Sequence, residues 1–378
     1  MTLPIVYTCP EVQTEVRGHL GCITLNRARA LNALSLPMIR ALAAALLAWR
    51  DDPQVQAVAI RGMSKGGPSG SQEEPFGAFC AGGDIRFFHQ AVLRADAEIE
   101  DFFTEEYTLN HLIHHYPKPY IAFMDGVVMG GGMGISQGAK LRIVTPRTKM
   151  AMPETNIGLF PDVGGGWFLA RCPRHGGEWL ALTSEVIGAG DALALQLADV
   201  CFDAARIGEA WDALAGLADF DATRLESWRR NYITVAPAAA LPLDTIARCF
   251  EQPDVLRVVQ ALEKERGEWA ASTVKALRAH SPLMLEVTLQ QIRRGAGMSL
   301  ADELRMERDM VRHCFNTRHL DRYMAATDTM EGIRALVIDK DRAPKWLPAR
   351  LEEVTPAMVD GFFVSPWPAH AHPLRELA

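Results

Sequence analysis

Two glycine-rich turns most constrain the fold of this chain. FCAGGD (79–84) and MGGGMG (129–134) each stand where a short apolar run ends and a helical pattern begins. Backbone N–H groups at the start of a helix have no partner inside it, and the positive end of the helix dipole lies there too. Two such turns facing each other predict a site for one oxyanion. The alternative is that these glycines only permit tight turns and close packing.

The elements around these turns predict an α/β fold built from ββα units. Residues 12–25 alternate as a hairpin, 62–75 form a Gly/Ser/Pro-rich loop, and one helix is expected from Asp84 to His115. The order strand, strand, helix recurs through the first ~200 residues. Helical periodicity then dominates. We therefore expect a ββα core with the active site at 1–204 and a helical C-terminal region at 205–378.

Composition narrows the class of protein. The chain has 378 residues and a net charge of -7, so it offers no broad basic field for nucleic acid. Its seven cysteines are scattered and contain no CxxC pair, which predicts neither a disulfide framework nor a zinc site. The sequence contains no secretion or transit signal and no apolar run long enough for a membrane span. We expect a cytoplasmic protein with no membrane or nucleic-acid partner and no bound metal.

Two carboxylates stand among apolar and small residues in MAMPETNIGLFPDVGGG (150–166). Glu154 and Asp162 are candidates for acid–base chemistry, because apolar surroundings raise a carboxyl pKa. Each has a structural alternative. Glu154 follows Pro153 at a strand end, and Asp162 is well placed to N-cap a helix that starts near Val163. From residue types alone, the cap is the preferred interpretation for Asp162.

Glu106 is a third candidate, because helical spacing puts it on the apolar face of its helix. It shares that face with Phe102, Phe103 and Ile113, whereas the neighbouring Glu105 lies on the polar face. Isolated burial of a charge is costly, so an inward carboxylate is usually paired or functional. A structural salt bridge to Lys or Arg is the common alternative.

One motif is rejected on its context. GISQG (134–138) matches the GxSxG nucleophile elbow, with Ser136 as nucleophile and His175 or His280 as base. The elbow serine stands at the strand-to-helix turn itself, whereas Ser136 already lies a turn into the predicted helix. The histidines form no HExxH pattern either.

Taken together, five segments and the C-terminal EGIRALVIDKDRAPKW (331–346) resemble the crotonase (enoyl-CoA hydratase/isomerase) superfamily, and within it the branch of 3-hydroxyisobutyryl-CoA hydrolases. The five are LNRARALNAL (25–34), FGAFCAGGDIR (76–86), FFTEEYTLNH (102–111), KPYIAFMDGVVMGGGMGIS (118–136) and AMPETNIGLFPDVGGG (151–166). The resemblance implies a crotonase-like spiral of ββα units.

The resemblance also implies roles for particular residues. The N–H groups of Ala81 and Gly131 would form the oxyanion hole for a thioester carbonyl. Glu154 and Asp162 would be the catalytic carboxylates. The substrate would be bound by Glu106, Gly82, Gly83 and Asp84, with Arg27 and Arg29 reaching the phosphates of coenzyme A.

The implied activity is hydrolysis of an acyl-CoA, 3-hydroxyisobutyryl-CoA above all, as in valine breakdown. Coenzyme A would be part of the substrate, with no separate cofactor, and a homo-oligomer is left open. The first alternative is an enoyl-CoA hydratase or isomerase of the same fold. It is disfavoured because hydratases carry a second Glu at the position of Gly134 and Gly at that of Asp162. The second alternative is a non-catalytic acyl-CoA-binding protein.

Overall fold

The computed structural model of the chain describes residues 7–65 and 73–378. Its strands are β1 (Val12–Arg17), β2 (Leu20–Leu25), β3 (Ala57–Lys65), β4 (Glu73–Pro75), β5 (Ala78–Cys80), β6 (Tyr120–Met124), β7 (Val127–Met129), β8 (Leu141–Val144), β9 (Lys149–Ala151), β10 (Val200–Cys201), β11 (Asn316–Thr317) and β12 (Arg322–Tyr323). Its first eight helices are α1 (Leu36–Arg50), α2 (Ile85–Arg94), α3 (Glu98–His114), α4 (Gly131–Gln137), α5 (Gly165–Leu169), α6 (Gly176–Thr183), α7 (Ala189–Ala194) and α8 (Ile207–Ala215). The remaining helices are α9 (Ala222–Arg230), α10 (Leu243–Phe250), α11 (Val255–Leu262), α12 (Glu268–Ala279), α13 (Pro282–Gly295), α14 (Leu300–Phe315), α15 (Asp328–Ile333) and α16 (Pro356–Asp360).

The larger sheet has the order β1-β2-β3-β6-β8-β10, with β4 paired to β3. The hairpin β1–β2 is antiparallel, and the pairs from β2 to β10 are parallel. Every residue of β6 is buried. Parallel strands covered on both faces read as continuous apolar runs, and this is why YIAFM does not alternate.

Side chains of these strands alternate between two covered faces. Leu20 and Cys22 join an apolar cluster that includes Trp211 of α8 and Trp228 of α9. Gly21, between them, points the other way, where a Cβ would lie 2.6 Å from the Trp49 ring of α1. The period of two along β2 therefore buries α8 and α9 against one face and α1 against the other.

A second sheet carries both glycine turns. Its order is β5-β7-β9, with β5 and β7 parallel. In chain order, one strand of the larger sheet is followed by one of the smaller sheet and then by a helix, as in β6, β7 and α4. This is the predicted ββα order, and it places a glycine turn at the carboxyl end of β5 and of β7.

Two local predictions differ from the structure. The single helix expected from Asp84 to His115 is α2 and α3, because Ala95 adopts a left-handed conformation (φ 52°) and the chain restarts with the Asp96 carboxylate accepting the Glu98 N–H at 3.0 Å. The loop expected at 62–75 is shorter, since its ends belong to β3 and β4. The rest of that loop, 66–72, lies outside the described residues.

The chain divides into two compact units that are each assembled from separate segments. Unit 1 comprises residues 1–83, 108–150 and 186–240, and unit 2 comprises 84–107, 151–185 and 241–378. The boundary expected after residue 204 matches no division between these units, because it falls inside the segment 186–240 of unit 1. Beyond that residue the chain is helical as expected, apart from the short strands β11 and β12.

Candidate active site

The first glycine turn follows β5, and its residues up to Gly83 belong to unit 1. The Ala81 N–H donates to the Leu31 carbonyl at 3.0 Å, so it is already used inside the protein. This corrects the expectation that Ala81 supplies the oxyanion-hole donor. Leu31 belongs to a loop 50 residues away in sequence, and spacing within FCAGGD gives no sign of that contact. Asp84 ends the turn as the N-cap of α2, its carboxylate accepting the Phe87 N–H at 3.4 Å.

The second glycine turn lies directly against the first. A Cβ on Gly82 would be 3.6 Å from the Gly131 nitrogen, and a Cβ on Gly132 would be 2.4 Å from the Cys80 carbonyl oxygen. Gly131 is the first residue of α4, and Gly130 precedes it with φ 48°. The expected meeting of the two turns is therefore present within unit 1, and close backbone approach explains why glycine is needed there.

Three N–H groups on these turns are candidates for an oxyanion site. Across residues 7–65 and 73–378, no acceptor is found for the N–H groups of Gly82, Gly83 and Gly131. Gly131 heads a helix, where N–H groups lack partners and the helix dipole is positive. The donor on the first turn thus moves from Ala81 to Gly82 or Gly83, both of which were expected to contact substrate.

Asn32, which the sequence motifs did not identify as a functional residue, fixes the position of the first turn through its buried side chain. Its side-chain amide is fully buried and donates to the carbonyls of Met63 (2.8 Å), Ala78 (2.9 Å) and Phe79 (3.1 Å). Its Oδ1 accepts the Arg27 N–H at 2.9 Å. Asn32 therefore ties the LNRARALNAL segment to the strand that carries the turn.

The two arginines proposed for coenzyme A differ in their surroundings. Arg27 forms an ion pair with Glu11 at 3.2 Å and donates to the Ala33 carbonyl at 2.9 Å. Arg29 is exposed. Arg29 is therefore the freer of the two to reach a phosphate, and Arg27 holds its own loop together.

Unit 2 holds the three predicted carboxylates, and all of them are buried. Glu106 is 2% exposed, Asp162 6% and Glu154 7%. Burial raises the pKa of Glu106 well above its ordinary value, and the charges of Asp162 and Glu154 raise it further. Burial also raises the pKa of Glu154, with a second contribution from the charge of Asp162. The three groups therefore interact and cannot all ionise easily near neutral pH.

A salt bridge does not account for Glu106. Within the described part of the chain, no Lys or Arg side chain pairs with it, and its Oε1 has no hydrogen-bond partner. The Oε2 of Glu154, in the short 3-10 turn Glu154–Ile157 after β9, is likewise without a partner there. Buried oxygens without partners are costly, and in a native structure each calls for an explanation such as a catalytic role.

Asp162 is not the helix cap that its sequence context favoured. Val163 (φ 57°) and Gly164 (φ 86°) are left-handed, so α5 begins only at Gly165 with Gly164 as its N-cap. The Asp162 carboxylate instead accepts a hydrogen bond from the Tyr107 hydroxyl at 2.9 Å. Burial raises the pKa of Asp162 to about 6, and this hydrogen bond opposes the rise.

Four residues near Asp162 were not predicted from the sequence motifs: Tyr107, Gln291, Glu303 and Glu307. Each has an exposure of 0%. Glu303 and Glu307 are one helical turn apart on α14, on the same face as apolar residues such as Leu304 and Met310. That is the signal which identified Glu106, and it could have found them too.

The structure does not support Ser136 as a nucleophile. The Ser136 hydroxyl lies inside α4 and donates to the Gly132 carbonyl at 2.7 Å, one turn earlier. His280 is buried with its Nδ1 3.0 Å from the Leu182 carbonyl.

Among the residues that the structure describes there is no group of three or more His, Cys, Asp or Glu arranged to hold a metal ion. A search of the same residues finds no helix with the length and apolar character of a membrane span.

The fold and these groups define a crotonase-fold protein, and comparison with known proteins agrees. Residues 20–363 match the enoyl-CoA hydratase/isomerase family, so the chain belongs to that family. Two solved structures share its fold at 34% identity: a carnitinyl-CoA dehydratase from Mycobacterium thermoresistibile (TM-score 0.85, covering 97% of this chain and 99% of that one) and an enoyl-CoA hydratase from Rhodobacter sphaeroides (TM-score 0.82, covering 94% and 98%).

Curated relatives narrow the comparison to one branch. The mitochondrial 3-hydroxyisobutyryl-CoA hydrolase of Xenopus tropicalis is 38% identical over 92% of this chain and 87% of its own length. The human protein of the same name is 36% identical (94% and 89%), and the probable 3-hydroxyisobutyryl-CoA hydrolase 3 of Arabidopsis thaliana 35% (93% and 91%). The frog and human relatives are named as mitochondrial, so the cytoplasmic location expected from the sequence is wrong by this comparison.

Proposed function

We propose that this chain hydrolyses an acyl-CoA thioester, with 3-hydroxyisobutyryl-CoA as its substrate and valine breakdown as its pathway. Relatives with that name, 35–38% identical over more than 90% of the chain, support the substrate. The observation that carries the chemistry is the buried Glu154 carboxylate, which has a raised pKa and an oxygen without a partner among the described residues.

The oxyanion is stabilised by backbone N–H groups. When water attacks the thioester carbon, negative charge develops on the carbonyl oxygen, and donors fixed in advance stabilise it by a few kcal/mol each. The Gly131 N–H at the head of α4 is one donor. The N–H of Gly82 or Gly83 is the other, since these groups and that of Gly131 lack an acceptor among residues 7–65 and 73–378.

Glu154 takes the proton of the attacking water as the new C–O bond forms. The C–S bond then breaks and the sulfur leaves as a thiolate, because a thiol with an ordinary pKa of about 8.5 is a good leaving group. The proton held by Glu154 returns to solvent or to the thiolate. Direct attack by Glu154 to give an anhydride, followed by hydrolysis, reaches the same products.

Asp162 tunes Glu154. Its negative charge raises the pKa of Glu154, which makes the ionised form of Glu154 a stronger base and lowers the fraction of Glu154 that is ionised at neutral pH. The hydrogen bond from Tyr107 stabilises the charged form of Asp162, since it lowers the Asp162 pKa against the effect of burial. Asp162 therefore supplies its charge only above the pH at which it loses its own proton, about 6.

Hydration of a double bond is the second candidate, because two solved structures of the same fold are titled as a dehydratase and a hydratase. Addition of water across a double bond is served by two carboxylates that flank the substrate. The family resemblance puts the second one where this chain has Gly134, which lacks a side chain. Hydrolysis is therefore the better-supported reaction.

One assay separates these activities. Purified protein is given a panel of acyl-CoA esters, and free thiol is followed with a thiol-reactive dye while crotonyl-CoA is followed by loss of its double-bond absorbance. We expect thiol release with turnover, fastest for 3-hydroxyisobutyryl-CoA, and negligible hydration. Loss of absorbance without thiol release would identify a hydratase, and tight binding with neither signal would identify a binding protein.

A further inference from the structure

Two buried carboxyl groups on α14 lie outside the chemistry proposed above. Glu303 and Glu307 each have an exposure of 0%, and among the described residues both oxygens of Glu303 are without a hydrogen-bond partner. In the described ranges neither forms an ion pair with Lys, Arg or His; Arg171 is the cation whose charge reaches Glu303. Burial raises the pKa of both carboxyl groups, and the charge of Glu303 raises the pKa of Glu307 further, so the two cannot both ionise easily near neutral pH.

Glu307 forms two hydrogen bonds to the turn that carries Asp162. Its Oε2 accepts the Gly164 N–H at 2.8 Å, and its Oε1 accepts the Gly166 N–H at 3.1 Å. Both N–H groups follow Asp162 in sequence, at the left-handed turn that leads into α5. One carboxylate therefore fixes two backbone groups that the short helix leaves unsatisfied.

Gln291 of α13 adds a hydrogen bond on the other side of Asp162. Its Nε2 donates to the Pro161 carbonyl at 2.7 Å and to Glu307 Oε1 at 2.9 Å. The fit leaves no spare room, because a Cβ on Gly166 would lie 2.3 Å from Glu303 Oε1. Asp162 is thus held between Pro161 on one side and Gly164 on the other, and both are bonded to this buried group.

We propose that Glu307 is a positioning residue for the reaction: through Gly164 and Gly166 it fixes the turn that carries Asp162. This inference rests on the proposed function, in which Asp162 acts on Glu154. Backbone N–H groups of the turn bond to Glu307 and not to Glu303, so only Glu307 is expected to fix the turn.

The substitutions Glu307→Gln and Glu303→Gln form a matched pair. In Glu307→Gln, whichever oxygen becomes NH₂ faces a backbone N–H, so one hydrogen bond is lost and two donors oppose each other. Glu303→Gln leaves the hydrogen bonds of Glu307 to Gly164, Gly166 and Gln291 in place. We expect Glu307→Gln to lower kcat about tenfold to a hundredfold with KM little changed, and Glu303→Gln to stay within about threefold of wild type.

Coupling to Asp162 distinguishes positioning from general support of the fold. If Glu307 acts through Asp162, then Glu307→Gln should cost no more than about threefold in an Asp162→Asn background. Additive losses in the double variant would overturn the proposal. An equal loss of kcat in Glu303→Gln and Glu307→Gln would overturn it as well.

Hydrogen–deuterium exchange tests the same inference without substrate, so it remains decisive even if the chain hydrolyses no thioester. We expect faster amide exchange in the peptide covering 161–169 in Glu307→Gln and unchanged exchange in Glu303→Gln. If Glu307→Gln fails to fold, Gln291→Met removes the hydrogen bond to Pro161 and should give the same local increase. Unchanged exchange in the folded variants would refute the positioning role, whereas absent hydrolysis with the expected exchange would refute only the proposed function.

Discussion

At the scale of single residues, Glu106 is the group that we expect to select the substrate. It is buried, and its Oε1 has no partner among the described residues. Its raised pKa favours the protonated form, so it can donate a hydrogen bond to a substrate hydroxyl as well as accept one. A site that pairs a buried polar group with a hydroxyl penalises analogues without it, because the group is then left unsatisfied.

We therefore expect wild type to prefer 3-hydroxyisobutyryl-CoA over isobutyryl-CoA by at least about tenfold in kcat/KM, or roughly 1.4 kcal/mol. Glu106→Ala should shrink that ratio by slowing the hydroxylated ester. Glu106→Gln is a neutral analogue of the protonated acid and should keep most of the ratio. The measurement is kcat/KM for both esters by thiol release.

The neighbouring Glu105 supplies the control, since it is only partly buried. Glu105→Ala should leave the preference between the two esters as it is in wild type. If Glu106→Ala slows both esters equally, Glu106 has no contact with the hydroxyl and serves the fold or the chemistry in general.

Residues were predictable where a single helix face reveals them. The position of Glu106 among apolar neighbours indicated burial, and the structure confirms it. The same pattern on α14 would have indicated Glu303 and Glu307. The donor at the first glycine turn was not predictable, because the Leu31 carbonyl that occupies the Ala81 N–H belongs to a distant loop.

At the scale of elements, the contact between β5 and α4 sets the geometry of the two glycine turns. A Cβ at Gly132 would lie 2.4 Å from the Cys80 carbonyl oxygen, where ordinary contacts begin near 3.4 Å. Gly132→Ala must therefore shift one turn by about 1 Å, and a misplacement of that size can cost about a hundredfold in rate. We expect kcat for thioester hydrolysis to fall by about that factor in a folded protein.

Gly208→Ala is the matched control. Gly208 is also the second residue of a helix in unit 1, and a Cβ there meets nothing within 4 Å. Alanine is the better helix former by about 1 kcal/mol, so this variant should keep full activity and melt at a slightly higher temperature. Full activity in Gly132→Ala, with wild-type melting, would mean that the spacing of the turns is unimportant.

The type of an element was predicted correctly more often than the residues at which it begins and ends. The pattern of 84–115 is helical throughout, yet Ala95 breaks it, since a residue in the left-handed region carries only a modest steric cost and leaves little trace in composition. The start of α5 was misplaced because Asp162 has the chemistry of a cap. Its side chain bonds to Tyr107 instead, a contact that spans 55 residues.

At the scale of the whole molecule, the chain is divided in a way that sequence order hides. Unit 1 carries the N–H groups of the glycine turns, and unit 2 carries Glu106, Glu154 and Asp162. Each unit draws on three separate segments, so no boundary along the sequence, including the one expected after 204, could separate them. The family fold was predictable because its motifs are local and ordered; the discontinuous units depend on long-range packing.

The central claim is that Glu154 carries out the chemical step of thioester hydrolysis. The most direct test compares wild type and Glu154→Gln for thiol release from 3-hydroxyisobutyryl-CoA, with binding of the ester measured separately by calorimetry on the variant. Glutamine keeps the shape but cannot accept the proton. We predict that kcat falls by about 10² to 10⁴ while the ester still binds as it binds wild type. Turnover within a few fold of wild type would contradict the account.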